Sequence, residues 1–376
     1  AVRTLALNAE HRLLLSGTAM ENRPIELWHQ LHMIDPYAFP DKKDFGTKFA
    51  SATKRTVGGR TFWDDRGASN LDELRDTLRC FMVRRLKSEV APELPDKTRE
   101  ALWIQLDPKA RRAYDAIEGD MEAAICAAWR ERSVKQARKM VADGATAREA
   151  VTAVNRAQPD VGALSQLVIV QLGYLRRAVA EAKTPAAIQW ILDFVQGGTP
   201  LLVFYEHKIV LESIAQALNK AKVSWDYIDG SVNQKKREQK VSDLNEGRIQ
   251  VLIGSKAMHA GWNLQGASDA LFVERWWIPS QEEQAEDRMY RIGQKNAVTV
   301  RYLMANGTVD AQVAELVDSK RDLIESVMRG EDVTKRRQEL SPQAKETERA
   351  SLSAALRDRV LARLMGACKV SLDDIM

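Results

Sequence analysis

The sequence predicts an α/β fold, a parallel sheet covered by helices, and three observations predict it. Between Thr199 and Ala305, short apolar runs alternate with helical stretches. The runs are nearly unbroken, as in strands buried on both faces. Several end in a small polar turn leading into a helix, the layout of βα units. The composition is globular, at 45% hydrophobic and 29% charged residues.

Taken in order, "HRLLLSGTA" reads as a buried strand, Arg12 to Leu15, running into a Ser-Gly-Thr turn. "PIELWHQLHMI" is an amphipathic helix begun by Pro24 and stopped at Asp35-Pro36. Residues 41–70 are polar and weakly periodic, a surface excursion. In "NLDELRDTLRCFM", Asn70 is a natural N-cap, and Leu71, Leu74, Leu78 and Met82 share one helix face. Asp107 to Arg156 is a long helical stretch broken near Asp143-Gly144, a projecting hairpin that leaves by Gln158-Pro159. Then come strands in "TPLLVFYEH", "VSWDYIDG", "IQVLIGS", "DALFVER" and "AVTVRYLMA". Helices are expected in "KIVLESIAQALNKA", "NQKKREQKVSDLNEG", "PSQEEQAEDRMYRIG" and from Thr308 to Arg329.

The 376 residues suffice for two domains and a helical insert, and 56 basic against 52 acidic residues give +4. That surplus permits a local nucleic-acid patch without requiring one. Cys80, Cys126 and Cys368 are odd in number and far apart, arguing against a disulfide framework or zinc knuckle and for a reducing interior. No run of about eighteen apolar residues offers a membrane span, and no signal peptide is expected. The opening "AVRTLALNAE" lacks a methionine and reads as though the chain joined a domain midway.

Three strand-to-turn junctions carry small residues: Ser16-Gly17-Thr18, Asp229-Gly230-Ser231 and Gly254-Ser255-Lys256. Small residues let backbone N–H groups approach an anion, and a following helix adds its positive end. Each alone also describes an ordinary loop. In "QAEDRMYRIGQ", Arg288 and Arg291 stand three apart, and on a helix they would share a face. Two guanidiniums aimed at one spot suit a phosphate, although R-x-x-R alone also describes an ion-paired surface helix.

Together these segments resemble the second half of a superfamily-two helicase motor of the Swi/Snf type. "RLLLSGTAMENRPIELW" is similar to its third motif and "FMVRRLKSEVAPELPDK" to its inter-lobe segment. "LLVFYEHKIVLESIAQAL" and "YIDGSVNQKKREQKVSDLN" resemble the fourth motif and the segment after it. Gly254 through "RIGQ" resembles the fifth and sixth. "GASNLDEL" and "VRYLMANGTVDAQV" resemble the annealing-helicase branch, whose members rewind or remodel forked DNA.

The resemblance implies a RecA-like sheet and four regions. These are the end of a first RecA-like lobe with linker (1–100), a helical protrusion (101–165), a second lobe (166–330) and a helical or partly disordered tail (331–376). It implies ATP in a cleft between lobes, with Arg291 as the finger and Arg288 beside it. Gln284 and Gly261 would belong to the nucleotide site, and Ser16, Gly17, Thr18 and Asn22 would couple that site to DNA. Gly230, Ser231, Arg237, Ser255, Lys256, Asn263 and Trp277 would meet double-stranded or forked DNA, placing the protein inside the cell and on DNA. Ser16 and Ala19 depart from the usual third motif, His259 and Trp262 are bulky in the fifth, and "WWIP" stands where W-N-P is usual.

No G-x-x-x-x-G-K-[ST] loop and no D-E-x-H pair occurs in the 376 residues. "DFGTKFA" is too short for the former, and "DELR" at 72–75 lies mid-helix. The expectation is that this segment does not hydrolyse ATP alone. A first lobe, in cis or on another chain, would supply the phosphate loop and the Mg2+ ligands. A non-catalytic docking lobe and an RNA-polymerase-recycling relative are the alternatives. His29 and His32 share a helix face but lack a third ligand and read as polar packing. Residues 234–240 are a phosphate-tracking stripe or a solvated face, "RWW" a base-stacking platform or core, and "KRR" at 335–337 a solvated tail.

Overall fold

The computed structural model describes residues 8–57, 60–85, 87–156, 161–258, 261–329 and 369–375. Expectations for His259, for Gln158-Pro159 and for the tail around residues 335–337 lie outside the described residues. The chain divides into two compact units. One draws on Ala1–Leu102, Ala187–Leu303 and Leu316–Glu348, the other on Trp103–Ala186, Met304–Glu315 and Arg349–Met376.

The first unit opens with an irregular segment. Pro24–Glu26 forms a 3-10 turn that leads into helix α1, Leu27–Ile34. Arg12–Leu15 is not a strand, and Leu13 and Leu15 are 84% and 88% exposed. No described strand pairs with it, so the apolar run has no sheet to enter. Arg12 instead ties the segment to α1 by donating to the carbonyls of Met33 and Ile34, 3.2 Å each.

Residues 41–70 are not merely an excursion. Asp41 accepts from the backbone of Lys43 and Asp44 and so caps α2, Lys42–Phe49, which buries Phe45 and Phe49. A hairpin of β1, Thr53–Val57, and β2, Arg60–Asp64, follows. Helix α3, Leu71–Phe81, buries Leu74 and Leu78 as its periodicity requires. Asn70, however, is not a side-chain cap. It adopts a left-handed conformation (φ 48°), and its amide donates to the Lys48 carbonyl at 2.8 Å. Leu27, Trp28, Leu31, Phe45, Phe49, Leu74 and Leu78 close one hydrophobic cluster. Truncating such a leucine typically costs about 2–5 kcal/mol.

Short helix α4, Lys87–Val90, precedes β3, Lys97–Ile104, a strand the sequence reading did not foresee. The remaining strands are β4 (Leu201–Phe204), β5 (Trp225–Ile228), β6 (Val251–Gly254), β7 (Asp269–Phe272) and β8 (Val298–Ala305). The sheet order is β3-β8-β7-β4-β6-β5. The pairs β4–β6, β4–β7, β5–β6 and β7–β8 are parallel. Every residue of β4 and β6 is buried, which explains their unbroken apolar sequences. The covering helices are α8 (Lys208–Ala221), α9 (Gln234–Asn245), α10 (Pro279–Glu286) and α11 (Val309–Arg329), numbered after the helices of the second unit.

That second unit is chiefly helical. Asp107 caps α5, Pro108–Ala142, by accepting from Lys109 and Ala110. The chain reverses through Gly144 (φ 104°) into α6, Ala147–Arg156, as the Asp143-Gly144 break predicted. Long helix α7, Val161–Val195, carries Lys183, whose ammonium meets the Asp310 carboxylate at 2.7 Å in a buried pair. Cys126 is disulfide-bonded while Cys80 is free, so the expectation of reduced cysteines does not hold for Cys126.

Among the described residues no helix is long and apolar enough to cross a membrane.

Candidate functional site

The sixth-motif arginines do not lie on a helix. Helix α10 ends at Glu286, and the following turns carry Arg288 and Arg291. Backbone bonds shorten here: Arg288 N donates to Ala285 O, Met289 N to Glu286 O and Arg291 N to Met289 O. The shared helix face is therefore replaced by a turn, yet both arginines line the same cleft of about 610 Å3. Gly17, Asn263 and Gln284 line it with them. Burial and the charge of Arg291 lower the Arg288 guanidinium from its ordinary pKa, while Asp287 opposes them. Lys87 and Asp287 line the recess as well, so its wall carries more basic than acidic groups, a balance that suits an anion.

The Ser-Gly-Thr turn is fastened to α10. The Gln284 amide donates to Thr18 Oγ1 at 2.8 Å. Ser16 Oγ donates to the Thr18 carbonyl at 2.7 Å and accepts from Thr18 N at 3.0 Å. Asn22 contributes its backbone N–H, which donates to Glu26 Oε2 at 2.9 Å, with Glu21 N alongside at 2.8 Å. Glu26 and Gln30, whose amide donates to Ala19 O at 2.6 Å, thus shape this loop. Neither was singled out from the sequence, although Glu26 stands one turn past Asn22.

Fifth and sixth motifs are joined through their backbones. Leu264 N donates to Arg288 O at 2.9 Å, and the Gln265 amide donates to Arg291 O at 3.1 Å. The buried amide of Gln294 donates to the carbonyls of Gln265, Ala267 and Met289, locking the turn after the arginines. Gly261 adopts φ 87° and is exposed. Asn263, expected at DNA, sits in the cleft wall and donates to Gln265 Oε1 at 2.8 Å.

Cations from the linker engage the acids beside the arginines. Glu286 is fully buried and accepts from Arg99 Nη2 at 2.6 Å and from the Tyr302 hydroxyl. Lys97 Nζ lies 2.6 Å from Glu286 and 3.1 Å from Asp287, and Lys87 Nζ lies 2.8 Å from Asp287. Burial acts to raise the Glu286 carboxyl, but Lys97 and Arg99 outweigh it and hold the group well below the usual carboxylate range. Arg291 Nε donates to the backbone carbonyl of Asp287 at 3.2 Å.

Of the expected DNA-facing residues, Gly230, Ser231, Ser255 and Lys256 follow the carboxyl ends of β5 and β6 and Arg237 braces the first of these turns, whereas Asn263 and Trp277 lie elsewhere. Ser231 donates through N and Oγ to Asp229 Oδ1, at 2.9 and 2.6 Å, and so holds that carboxyl low. Arg237 donates to the Val232 and Asp229 carbonyls, at 2.6 and 2.8 Å, bracing the Gly230-Ser231 turn. Ser255 N bonds Ile228 O, and Lys256 Nζ bonds Glu206 Oε1 at 2.8 Å. Burial pushes the neighbouring Tyr205 phenol up to about 12. Trp276 is core, whereas Trp277 is partly exposed and its carbonyl accepts from Lys320. His32 is buried, stacked on Trp28 and bonded to the Phe39 carbonyl, which is the packing role. Among the described residues no three His, Cys, Asp or Glu side chains converge on one point.

Parallel sheet, small-residue turns and paired arginines are those of a helicase-type motor lobe. The SNF2-related domain matches residues 1–156, and the helicase conserved C-terminal domain matches residues 184–293. The chain belongs to the Swi/Snf-related helicase family. It is 32% identical over 324 residues to the SWI/SNF-related matrix-associated actin-dependent regulator of chromatin subfamily A-like protein 1 of Xenopus laevis. That match covers 85% of this chain and 30% of the relative. The DNA annealing helicase and endonuclease ZRANB3 of Mus musculus is 31% identical over 326 residues, covering 86% of this chain and 27% of the relative. The chain thus spans under a third of either relative. The Sulfolobus solfataricus SWI2/SNF2 ATPase core in complex with dsDNA aligns with a TM-score of 0.46 at 21% identity, covering 85% of this chain and 62% of that one.

Proposed function

We propose that this chain is the second-lobe portion of an ATP-dependent double-stranded-DNA translocase that remodels forked DNA. Arg291 acts as arginine finger, Arg288 as its electrostatic partner, and Gln284 as the link to the Ser16–Thr18 coupling loop. The observation that carries the reading is the convergence of Gly17, Gln284, Arg288 and Arg291 on one cleft. A finger stabilises charge developing on a transferred phosphoryl group but does not hold the triphosphate. With no phosphate loop or D-E-x-H pair in its 376 residues, the chain works with a first lobe that supplies both, in cis or in trans. The exposed Leu13 and Leu15 are the face on which that lobe's sheet would continue.

On this reading the backbone turns at Gly230-Ser231 and Ser255-Lys256 follow DNA phosphates, contacts that position without reading sequence. The partner is duplex or forked DNA, and the site of action is wherever the cell keeps it.

A second reading, a docking lobe without catalysis, draws support from Lys256 and Arg237, whose charged groups engage Glu206 and the Asp229 and Val232 carbonyls. Duplex affinity in the presence of a first lobe separates the two. The motor reading expects affinity to differ between a non-hydrolysable ATP analogue and ADP, and hydrolysis to rise with duplex. Equal affinities without stimulated hydrolysis would leave the docking lobe.

A further inference from the structure

Within the second unit, residues 369–375 are seated on the α5–α6 hairpin as a short turn. The Asn155 side chain reads the Val370 backbone twice: its amide donates to the Val370 carbonyl at 2.9 Å, and its oxygen accepts from Val370 N at 2.9 Å. The Val370 side chain is buried with Ala137, Ala150 and Val154. Four residues on, the Asp374 carboxylate accepts from Arg130 Nη2 at 2.8 and 3.0 Å, and the Asp374 carbonyl accepts from Arg138 Nη2 at 3.0 Å. Arg130, Ala137 and Arg138 stand seven and eight residues apart on α5 and so share one face.

The seated segment holds its own shape. The Asp374 carboxylate accepts from Ser371 N and Oγ at 2.7 and 2.8 Å, and Ile375 N donates to Leu372 O at 3.2 Å. Bonds from Ser371 and Arg130 bring the Asp374 carboxyl down to about 2, so it is charged at neutral pH. A turn closed on itself loses little freedom on docking. The hairpin has its own closure as well. Thr146 and Glu149 form a capping box that starts α6, Glu149 accepting from Thr146 N at 3.0 Å and Thr146 Oγ1 from Glu149 N at 3.3 Å.

We propose that α5 and α6 form a peptide-docking site whose occupant is residues 369–375 of this chain, a separable latch and not part of the hairpin's core. The ligand class it fits is a self-capped turn with an apolar residue four places before a carboxylate. Backbone reading by Asn155 fixes the register, the apolar contact selects the side chain at 370, and the Arg130 fork selects the carboxylate.

The test uses the full chain and a fluorescein-labelled peptide KVSLDDIM, residues 369–376, followed by anisotropy. A dithiol in the buffer opens the Cys126 disulfide, so that only non-covalent contacts are read. Wild type should bind the peptide weakly, because its own segment competes in cis at a high effective concentration. Val370→Asp in the chain should unseat that segment and bind the peptide at least tenfold more tightly. Asp374→Lys in the chain opens the site by a second route, and the same gain is expected of it. Adding Asn155→Ala or Arg130→Ala to either should weaken peptide binding roughly tenfold, the scale of losing such bonds. Hydrogen exchange of α5 and α6 in the opened chains should match the wild type. Peptide binding that is equal in wild-type and opened chains, or indifferent to Asn155 and Arg130, would overturn the docking site. Loss of hairpin protection in both opened chains would make the segment part of the core and overturn the latch.

Discussion

The Gln284 amide and the Thr18 hydroxyl meet at 2.8 Å across 266 residues of sequence. That bond joins the Ser16–Thr18 turn to helix α10, whose end leads into the turns that carry the arginines. It is part-buried, so its net contribution to stability is about 0.5–1.5 kcal/mol. Gln284→Leu should therefore leave the urea unfolding midpoint close to wild type. With a first lobe supplied, the same change should reduce the increment in ATP hydrolysis that duplex DNA provokes more than it reduces the basal rate. Equal loss of both would assign Gln284 to nucleotide binding alone.

The Glu286 network predicts an acid-labile fold. Its folded carboxyl titrates below its unfolded value, because Lys97 and Arg99 outweigh burial. The stability it contributes is present above the unfolded pKa of about 4.3 and drains away as pH falls toward the folded value. Breaking a buried pair typically costs about 3–5 kcal/mol. Denaturant unfolding of Glu286→Gln should show a loss of that order at pH 7 and a flatter decline below about pH 4. A parallel decline in both proteins would place the acid sensitivity elsewhere.

Arg237 makes a different kind of prediction, because its guanidinium engages the Asp229 and Val232 carbonyls. Arg237→Ala should weaken duplex binding by loosening the Gly230-Ser231 turn, with the slope of log affinity against log salt unchanged. A slope reduced by about 0.9 would mean that Arg237 itself neutralises a phosphate.

Gly254 and Gly266 are among the described glycines required by close approach rather than by φ. A Cβ on Gly266 would lie 2.5 Å from the Asn245 Cα, whereas one on Gly254 would meet the Met258 side chain, its sulfur at 1.8 Å. Overpacking of this kind costs about 1–3 kcal/mol. Thermal unfolding should show both alanine variants destabilised, with Met258→Ala rescuing Gly254→Ala. No neighbouring side-chain truncation should rescue Gly266→Ala, since backbone cannot be trimmed.

What could be read from the sequence follows from how each signal arises. Strands β4 and β6 are buried throughout, so "LLVF" and "VLIG" announce them. Strand β3 escaped notice because "KTREALWI" is largely exposed at the sheet's edge and looks like linker. Arg12–Leu15 misled in the opposite sense, since its leucines have apolar character but no described strand to join. Helix α2 was legible in retrospect from Asp41 as cap and the Phe45 and Phe49 spacing. Motif residues were found because their order along the chain is characteristic. The partners of Glu286 were not, because Lys97 and Arg99 stand about 190 residues away and only tertiary folding brings them there.

The central claim is that Arg291 completes ATP hydrolysis, and single-turnover hydrolysis with a first lobe and saturating duplex tests it most directly. Arginine fingers contribute on the order of 10³–10⁵ in rate. Arg291→Ala should therefore lose about 10³-fold or more, and free guanidinium added to the variant should return part of that loss. A variant that hydrolyses ATP at the wild-type rate would contradict the account.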